Sequence, residues 1–295
     1  RKTAHDFDQE LLVLFDAYVH GSIDRRAFLD RAAKFAVGGV TAAMLLDQLS
    51  PKFAAAQVVK PTDSRIEPEY VEFESPDGNG RGRGYLVRPA GATEPMPGIL
   101  VIHENRGLNP HIEDIARRLA LDNFVAFAPD ALFPLGGYPG SEDEARTLFG
   151  ELDRARTQQD FVAASDFLRE HPHCSGEIGA VGFCYGGGMV NFLATKLGDN
   201  LRAGVAFYGS SPDLEDVPNI RSKIMVQSAE HDDRINARWP GYEAALQEAG
   251  VDYVRHLYSG TQHGFNNDTT PRYDEDAARL AWTRTVAFFS EHVRG

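Results

Sequence analysis

Cys184 is the residue in this 295-residue chain whose neighbours best fit it to be a nucleophile. It lies in Ile178-Gly179-Ala180-Val181-Gly182-Phe183-Cys184-Tyr185-Gly186-Gly187-Gly188, an apolar run that leads through a glycine to the thiol and then to three more glycines. A helical stretch begins near Met189. This is strand, sharp turn, helix: a nucleophile elbow written G-x-C-x-G. The glycines leave space where a Cβ would collide, and the residue at the tip takes a strained backbone conformation. Such a turn lifts the sulfur above the sheet edge. It also points the first amides of the next helix at the sulfur, where their partial positive charge favours a thiolate and later an oxyanion.

A cysteine in an apolar run is more often a small core residue, so the elbow needs partners. Three carboxylate or imidazole groups follow other apolar runs. Glu104 comes after Ile99-Leu100-Val101-Ile102-His103. Asp232 stands in Ser228-Ala229-Glu230-His231-Asp232-Asp233, past the run 223–228, and His263 stands in Gln262-His263-Gly264-Phe265, past 253–258. Asp233 is a rival to Asp232 that spacing does not dismiss; a surface or capping role is the alternative for it. Thiol, imidazole and carboxylate together are the groups of covalent acyl transfer, in which the imidazole takes and returns a proton. Backbone N–H groups of Tyr185 and Asn105 are the expected oxyanion donors.

Strands must bring these groups together. Tyr70 to Glu74 and Gly84 to Arg88 read as antiparallel edge strands around a glycine-rich turn. The runs 99–103, 124–128, 178–183 and 204–208 are almost wholly apolar, as strands buried on both faces are, and 223–228 holds the apolar Ile224-Met225-Val226. Helical periods separate them at 112–121, 142–171, 239–249 and 277–292. Alternation of this kind predicts a mostly parallel sheet with helices on both faces, whose active residues lie at the carboxyl ends of the strands.

Composition narrows the function. Thirty basic against 43 acidic residues give a net charge of −13, which argues against nucleic-acid or anionic-membrane partners. Two cysteines cannot form a disulfide framework, and Cys174 reads as structural. Neither C-x-x-C nor H-E-x-x-H spacing occurs, so no metal site and no cofactor are expected. His103 and His231 read as supporting or surface groups, and spacing identifies no partner for the remaining histidines.

The N-terminal part, residues 1–62, reads as a helical extension of a body at 63–295. Phe7, Leu11, Leu14, Phe15 and Tyr18 recur at helical spacing, and Asp24 is a candidate cap for a second helix. Arg25-Arg26, twelve uncharged residues between Lys34 and Asp47, and Ala54-Ala55-Ala56 resemble a twin-arginine export leader, which would imply a periplasmic protein cut near Gln57. The apolar segment is too short to span a bilayer. The alternative is a cytoplasmic protein that keeps the extension, packed on the body or used to form a homodimer.

The body resembles the dienelactone hydrolases over roughly residues 66–295. The shared marks are the G-x-C-x-G-G elbow (Gly182 to Gly187), H-E-x-x-G-L-N (His103 to Asn109), Pro129-Asp130-Ala131-Leu132-Phe133, Phe207-Tyr208-Gly209, and the late aspartate and histidine. The order nucleophile, acid, histidine is that of the α/β-hydrolase fold. The resemblance implies Cys184 as nucleophile, His263 as general base and then acid, Asp232 orienting it, and Glu104 contacting the resting thiol and helping to form the thiolate. A small-molecule ester or lactone would be the substrate. In the family an arginine that holds a substrate carboxylate follows the histidine, and Asn267 stands in that place. Arg106 is the candidate replacement, with Arg234 and Arg81 weaker, and Phe133, Tyr138 and Tyr208 are candidate apolar wall. Two other readings are a glutamine amidotransferase or glyoxalase-like cysteine enzyme and a non-catalytic binding scaffold.

Overall fold

The computed structural model describes residues 2–294. Helices α1 (Gln9–Val19), α2 (Arg25–Ala32), α3 (Ala42–Leu49) and α4 (Phe53–Ala56) precede strands β1 (Ile66–Ser75), β2 (Gly80–Pro89) and β3 (Met96–Ile102). Next come α5 (Pro110–Leu121), β4 (Val125–Pro129), α6 (Glu142–Gly150), α7 (Arg154–Glu170), β5 (Cys174–Phe183), α8 (Tyr185–Leu197) and β6 (Ala203–Phe207). The chain closes with β7 (Lys223–His231), α9 (Asp233–Asn236), α10 (Trp239–Glu248), β8 (Tyr253–Gln262) and α11 (Glu275–His292).

The strands form one sheet in the order β1-β2-β4-β3-β5-β6-β7-β8. β1 pairs antiparallel with β2 and β2 with β4, and every pairing from β4 onward is parallel. Alternate residues of β3 serve opposite layers. Ile99 and Val101 pack with Ile112, Ile115 and Leu119 of α5 and Phe289 of α11. Leu100 and Ile102 pack with Phe161 and Leu168 of α7, Leu193 of α8 and Leu246 of α10. All of these side chains are almost wholly excluded from solvent, and each contributes roughly 1.5–3 kcal/mol of burial. The doubly covered, mostly parallel sheet is the one expected from the strand and helix alternation, and it has the α/β-hydrolase arrangement that the family resemblance implies.

Local sequence explains the helix ends. Asp8, Asp24, Thr41, Asn109, Ser141, Asp153 and Asp274 each accept a backbone N–H of the helix that follows. The helical period over 142–171 is two helices, because the Asp153 cap starts α7 anew after α6 ends at Gly150. The uncharged segment after Lys34 is likewise divided. It runs through a 3₁₀ turn and a loop before Thr41 caps α3.

The N-terminal helices have a core of their own, made of Leu11, Leu12, Phe15, Tyr18, Phe28, Leu45, Leu46 and Leu49. The apolar face considered for a homodimer is therefore covered within the same chain. The group also docks on the carboxyl ends of the strands. Lys52 N–H donates to the Thr269 carbonyl at 2.8 Å, the Gln9 and Gln262 amides pair, and Arg146 Nη1 donates to the Tyr18 carbonyl at 2.7 Å. Among the described residues no helix is long and apolar enough to cross a membrane.

Candidate active site

Cys184 caps α8 with φ 56° and ψ −110°, a backbone that side chains rarely adopt. Glycine makes this turn feasible. A Cβ on Gly182 would lie 2.1 Å from the Gly186 carbonyl oxygen, and one on Gly186 would lie 2.2 Å from that of Ile102. The helix therefore starts against the β3 end. The Tyr185 N–H is the first of α8, one of the donors that have no acceptor inside a helix.

His263 follows β8 directly and is 4% exposed. Its Nδ1 donates to Asp232 Oδ2 at 2.6 Å, which leaves Nε2 facing the thiol without a hydrogen-bond partner. Asp232 follows β7 and is buried, whereas Asp233 is exposed and opens α9.

A residue for which the sequence offered no partner completes the cluster. His20 at the end of α1 places Nε2 3.3 Å from Cys184 Sγ, and its ring stands edge-on to that of His263 with centroids 4.7 Å apart. His20 Nδ1 meets the Asp16 carbonyl oxygen at 2.8 Å and its carboxylate at 3.2 Å. Both are acceptors, so Nδ1 carries a hydrogen and Nε2 is the nitrogen that meets the sulfur. Arg234 Nη2 approaches the same Nε2 at 3.2 Å. Two carboxylate–imidazole pairs thus flank one sulfur.

The charges act together. Burial pushes the Cys184 thiol up, but the His20 and His263 imidazoles outweigh it and bring the pKa down to about 6. Burial opposes charge on His263, yet the Cys184 sulfur and the Asp232 hydrogen bond raise it to about 10. His20 is raised to about 8 in the same way, by Cys184 and Asp16 against burial. The resting state at neutral pH is a thiolate beside imidazolium.

Glu104 lines the same cavity, but its Oε2 accepts from Asn267 Nδ2 at 2.9 Å, and His20 is the side chain that bonds the sulfur. The loop that carries Glu104 is braced from β4. Asp130 Oδ1 accepts from Leu108 and Leu132 N–H, and His103 Nε2 accepts from Ala131 N–H. Arg106 lines the cavity and donates to the Val19 carbonyl at 3.0 Å. Arg272, which sequence reasoning missed, lines it too and holds Asp16 Oδ1 at 3.2 Å. Asn267 is another lining residue, and the Tyr208 ring packs on His263 at 4.9 Å. Phe133 lies elsewhere, beneath Arg83, and Tyr138 bonds Glu142. Arg81 pairs with Glu72 at the sheet edge. With the N-terminal helices docked, the cavity at the sulfur measures about 50 Å³. A hollow of about 390 Å³ lined by Phe149, Tyr185, Met189 and Phe192 touches none of Cys184, His263 and Asp232, whereas one of about 460 Å³ is lined by Leu12, Asp16, Asp232 and His263.

Fold, elbow and strand-end groups define a hydrolase of the α/β-hydrolase fold. The particular family follows from comparison with known sequences. The profile of the dienelactone hydrolase family matches residues 83–293, and the chain belongs to that family. A YqhI-like profile matches residues 1–34. Protein usf of Aquifex pyrophilus is 36% identical over 236 residues, 76% of this chain and 99% of that one. A protein of Aquifex aeolicus named "Putative carboxymethylenebutenolidase" is 33% identical over 77% of this chain and 99% of its own. The crystal structure of a dienelactone hydrolase-like promiscuous phosphotriesterase from metagenomic libraries superposes with a TM-score of 0.66. It is 26% identical and covers 78% of this chain and 100% of that one.

Proposed function

We propose that this hydrolase, whose family points to ester or lactone bonds, works through a Cys184–His263–Asp232 triad and a thioester acyl-enzyme. The observation that carries the reading is the buried 2.6 Å Asp232–His263 bond, which turns the free Nε2 toward a thiol of depressed pKa. The Cys184 thiolate attacks the carbonyl carbon, and the carbonyl electron pair moves onto oxygen. Tyr185 and Asn105 N–H groups receive that oxyanion, each worth roughly 3–4 kcal/mol. Collapse expels an alkoxide, which takes the proton from His263 Nε2. In a lactone the ring opens and the leaving group stays tethered. His263, now neutral, takes a proton from the water that attacks the thioester and keeps it as the sulfur departs as thiolate, which restores the resting pair. Asp232 keeps Nδ1 protonated throughout, so Nε2 is always the working nitrogen.

Arg106 and Arg272 support an anionic substrate. Their guanidiniums bind a carbonyl oxygen and a carboxylate of the N-terminal helix, groups that a carboxylated ester also offers. Asn267 and Glu104 would shape the wall between them.

The test is turnover of a panel of lactones and short esters by the wild-type chain and by Cys184→Ala, with mass analysis of protein quenched during turnover. A substrate-sized acyl adduct on the peptide that holds Cys184, absent from the variant, is the expected result. Undiminished hydrolysis by Cys184→Ala would remove the thiol mechanism.

A further inference from the structure

The two imidazoles and the thiol form a second kind of site. We propose that Cys184 Sγ, His20 Nε2 and His263 Nε2 bind a borderline-soft divalent cation of the zinc class, which ties the N-terminal helix to the catalytic strands. This inference concerns binding alone and stands whether or not Cys184 is the nucleophile.

Geometry carries it. The three ligand atoms lie within 4.8 Å of one another, and His20 Nε2 and Cys184 Sγ are already at 3.3 Å. Tetrahedral zinc, with Zn–S about 2.3 Å and Zn–N about 2.0–2.1 Å, sets S···N near roughly 3.6 Å and N···N near roughly 3.4 Å. A small inward movement of the His263 ring completes that triangle. His263 Nε2 is buried, unpartnered and aimed at the sulfur.

The outer groups fit as well. Histidines that hold metals commonly donate their other ring N–H to a carboxylate or carbonyl, which fixes the tautomer and strengthens the ligand. Both histidines here do so, His263 to Asp232 and His20 to the carboxylate and carbonyl of Asp16. Arg234 is exposed and can leave Nε2 without a buried void. The adjoining cavity of about 50 Å³ has room for a water as fourth ligand, which needs about 10–15 Å³ of such space. The metal takes the sulfur lone pair and two imidazole lone pairs, and protons held by the cluster leave to solvent. No oxidation occurs. A thiolate bound in this way shares its lone pair with the metal, so occupancy pins α1 and, where Cys184 is the nucleophile, competes with its attack.

The experiment uses the full chain, stripped with a chelator and dialysed, then titrated with cobalt(II) chloride and, in competition, zinc chloride. Expected are one equivalent of tetrahedral cobalt with thiolate-to-metal charge-transfer absorption, unchanged in Cys174→Ala and absent in Cys184→Ala. Affinity falls by roughly 10–100-fold in Asp16→Asn, as for other carboxylates behind ligating histidines, and further in His20→Ala. Circular dichroism of each variant identifies any that have failed to fold. Absence of the charge-transfer band, or wild-type affinity in folded His20→Ala, overturns the site. Ester turnover by the metal-free protein is scored separately: metal bound by an inactive protein removes the hydrolase mechanism alone, and turnover without metal binding removes this site alone.

Discussion

His20 Nε2 and Cys184 Sγ are 3.3 Å apart although 164 positions separate them in the chain. The contact makes the acidity of the Cys184 thiol depend on the N-terminal helix. Burial alone would hold the thiol protonated, and His20 is the largest influence in the other direction. In chelator-treated protein, the rate of iodoacetamide labelling at Cys184 should therefore be half-maximal near pH 6. The sign follows from a lowered pKa: thiolate is present above about 6 and lost below it. His20→Ala should move the midpoint upward. Cys174, whose thiol burial pushes up, serves as the internal reference. An unmoved midpoint in His20→Ala would show that the second imidazole contributes nothing to the thiolate.

Asp232 and Asp233 are neighbours with opposite surroundings. One is buried against His263 Nδ1, and the other is exposed at the start of α9. Asp232→Asn keeps the shape but lets the amide favour the wrong imidazole tautomer, a change worth about 10⁴ in kcat in a comparable triad. Asp233→Asn should leave kcat/KM within about twofold, as surface changes usually do. Steady-state kinetics on any ester the enzyme accepts checks both.

These two carboxylates also mark how far the sequence could be read. The buried strands were legible because an apolar run with no polar face has few other uses, and strand ends then located Glu104, Cys184, Asp232 and His263. His20 was not legible. Its role depends on α1 docking across the strand ends, and that docking rests on tertiary contacts such as Arg106 to the Val19 carbonyl and Arg272 to Asp16, which leave no spacing signature. The same cause hid the cation cluster, since its ligands come from three distant segments. Phe133 escaped for a related reason: its ring packs under Arg83 and does not line the cavity at the sulfur. The break between α6 and α7 was readable in principle, because Asp153 caps the second helix.

The elbow tolerates no side chain at its hinge. A methyl on Gly186 would meet the Ile102 and His103 carbonyls at 2.2 and 2.8 Å, and backbone on both sides cannot yield. Gly186→Ala should cost about 3 kcal/mol or more and lower Tm by on the order of 10 °C. Gly150→Ala, in open space at the end of α6, should be neutral or slightly stabilising, by up to about 1 kcal/mol. Calorimetric scans of both variants decide; equal Tm values would mean that the hinge relaxes.

If Arg272 and Arg106 hold a substrate carboxylate, alanine at either position should raise KM for a carboxylated ester by about tenfold, one charge-assisted bond being worth roughly 1.5–3 kcal/mol. KM for the neutral ester of the same alcohol should change far less. An equal rise for both substrates would assign the two arginines to holding α1 in place.

The small cavity raises the question of how a substrate enters. Ligand pockets usually measure about 300–1,000 Å³, and about 50 Å³ at the sulfur admits little more than water. Phe15, Tyr18 and Val19 of α1 form one wall, Ser50 and Pro51 another, and a hollow of about 460 Å³ reaches Asp232 and His263 along Leu12 and Asp16, so a shift of α1 would widen the way to Cys184. Their hold on the body is polar at the rim: Gln9 to Gln262, Asp16 to Arg272, Arg146 to the Tyr18 carbonyl. Such contacts open locally more readily than the apolar layers beneath the sheet. Labelling with reagents of two sizes tests this. Wild type should react with a bulky maleimide at least about tenfold more slowly, relative to iodoacetamide, than a chain that starts at Gln57, because a tenfold difference needs only about 1.4 kcal/mol of closure. Asp16→Ala, which releases Arg272 without shortening the chain, should fall between them. If all three proteins show the same size ratio, the helices do not gate the sulfur, and the substrate must reach it by another route.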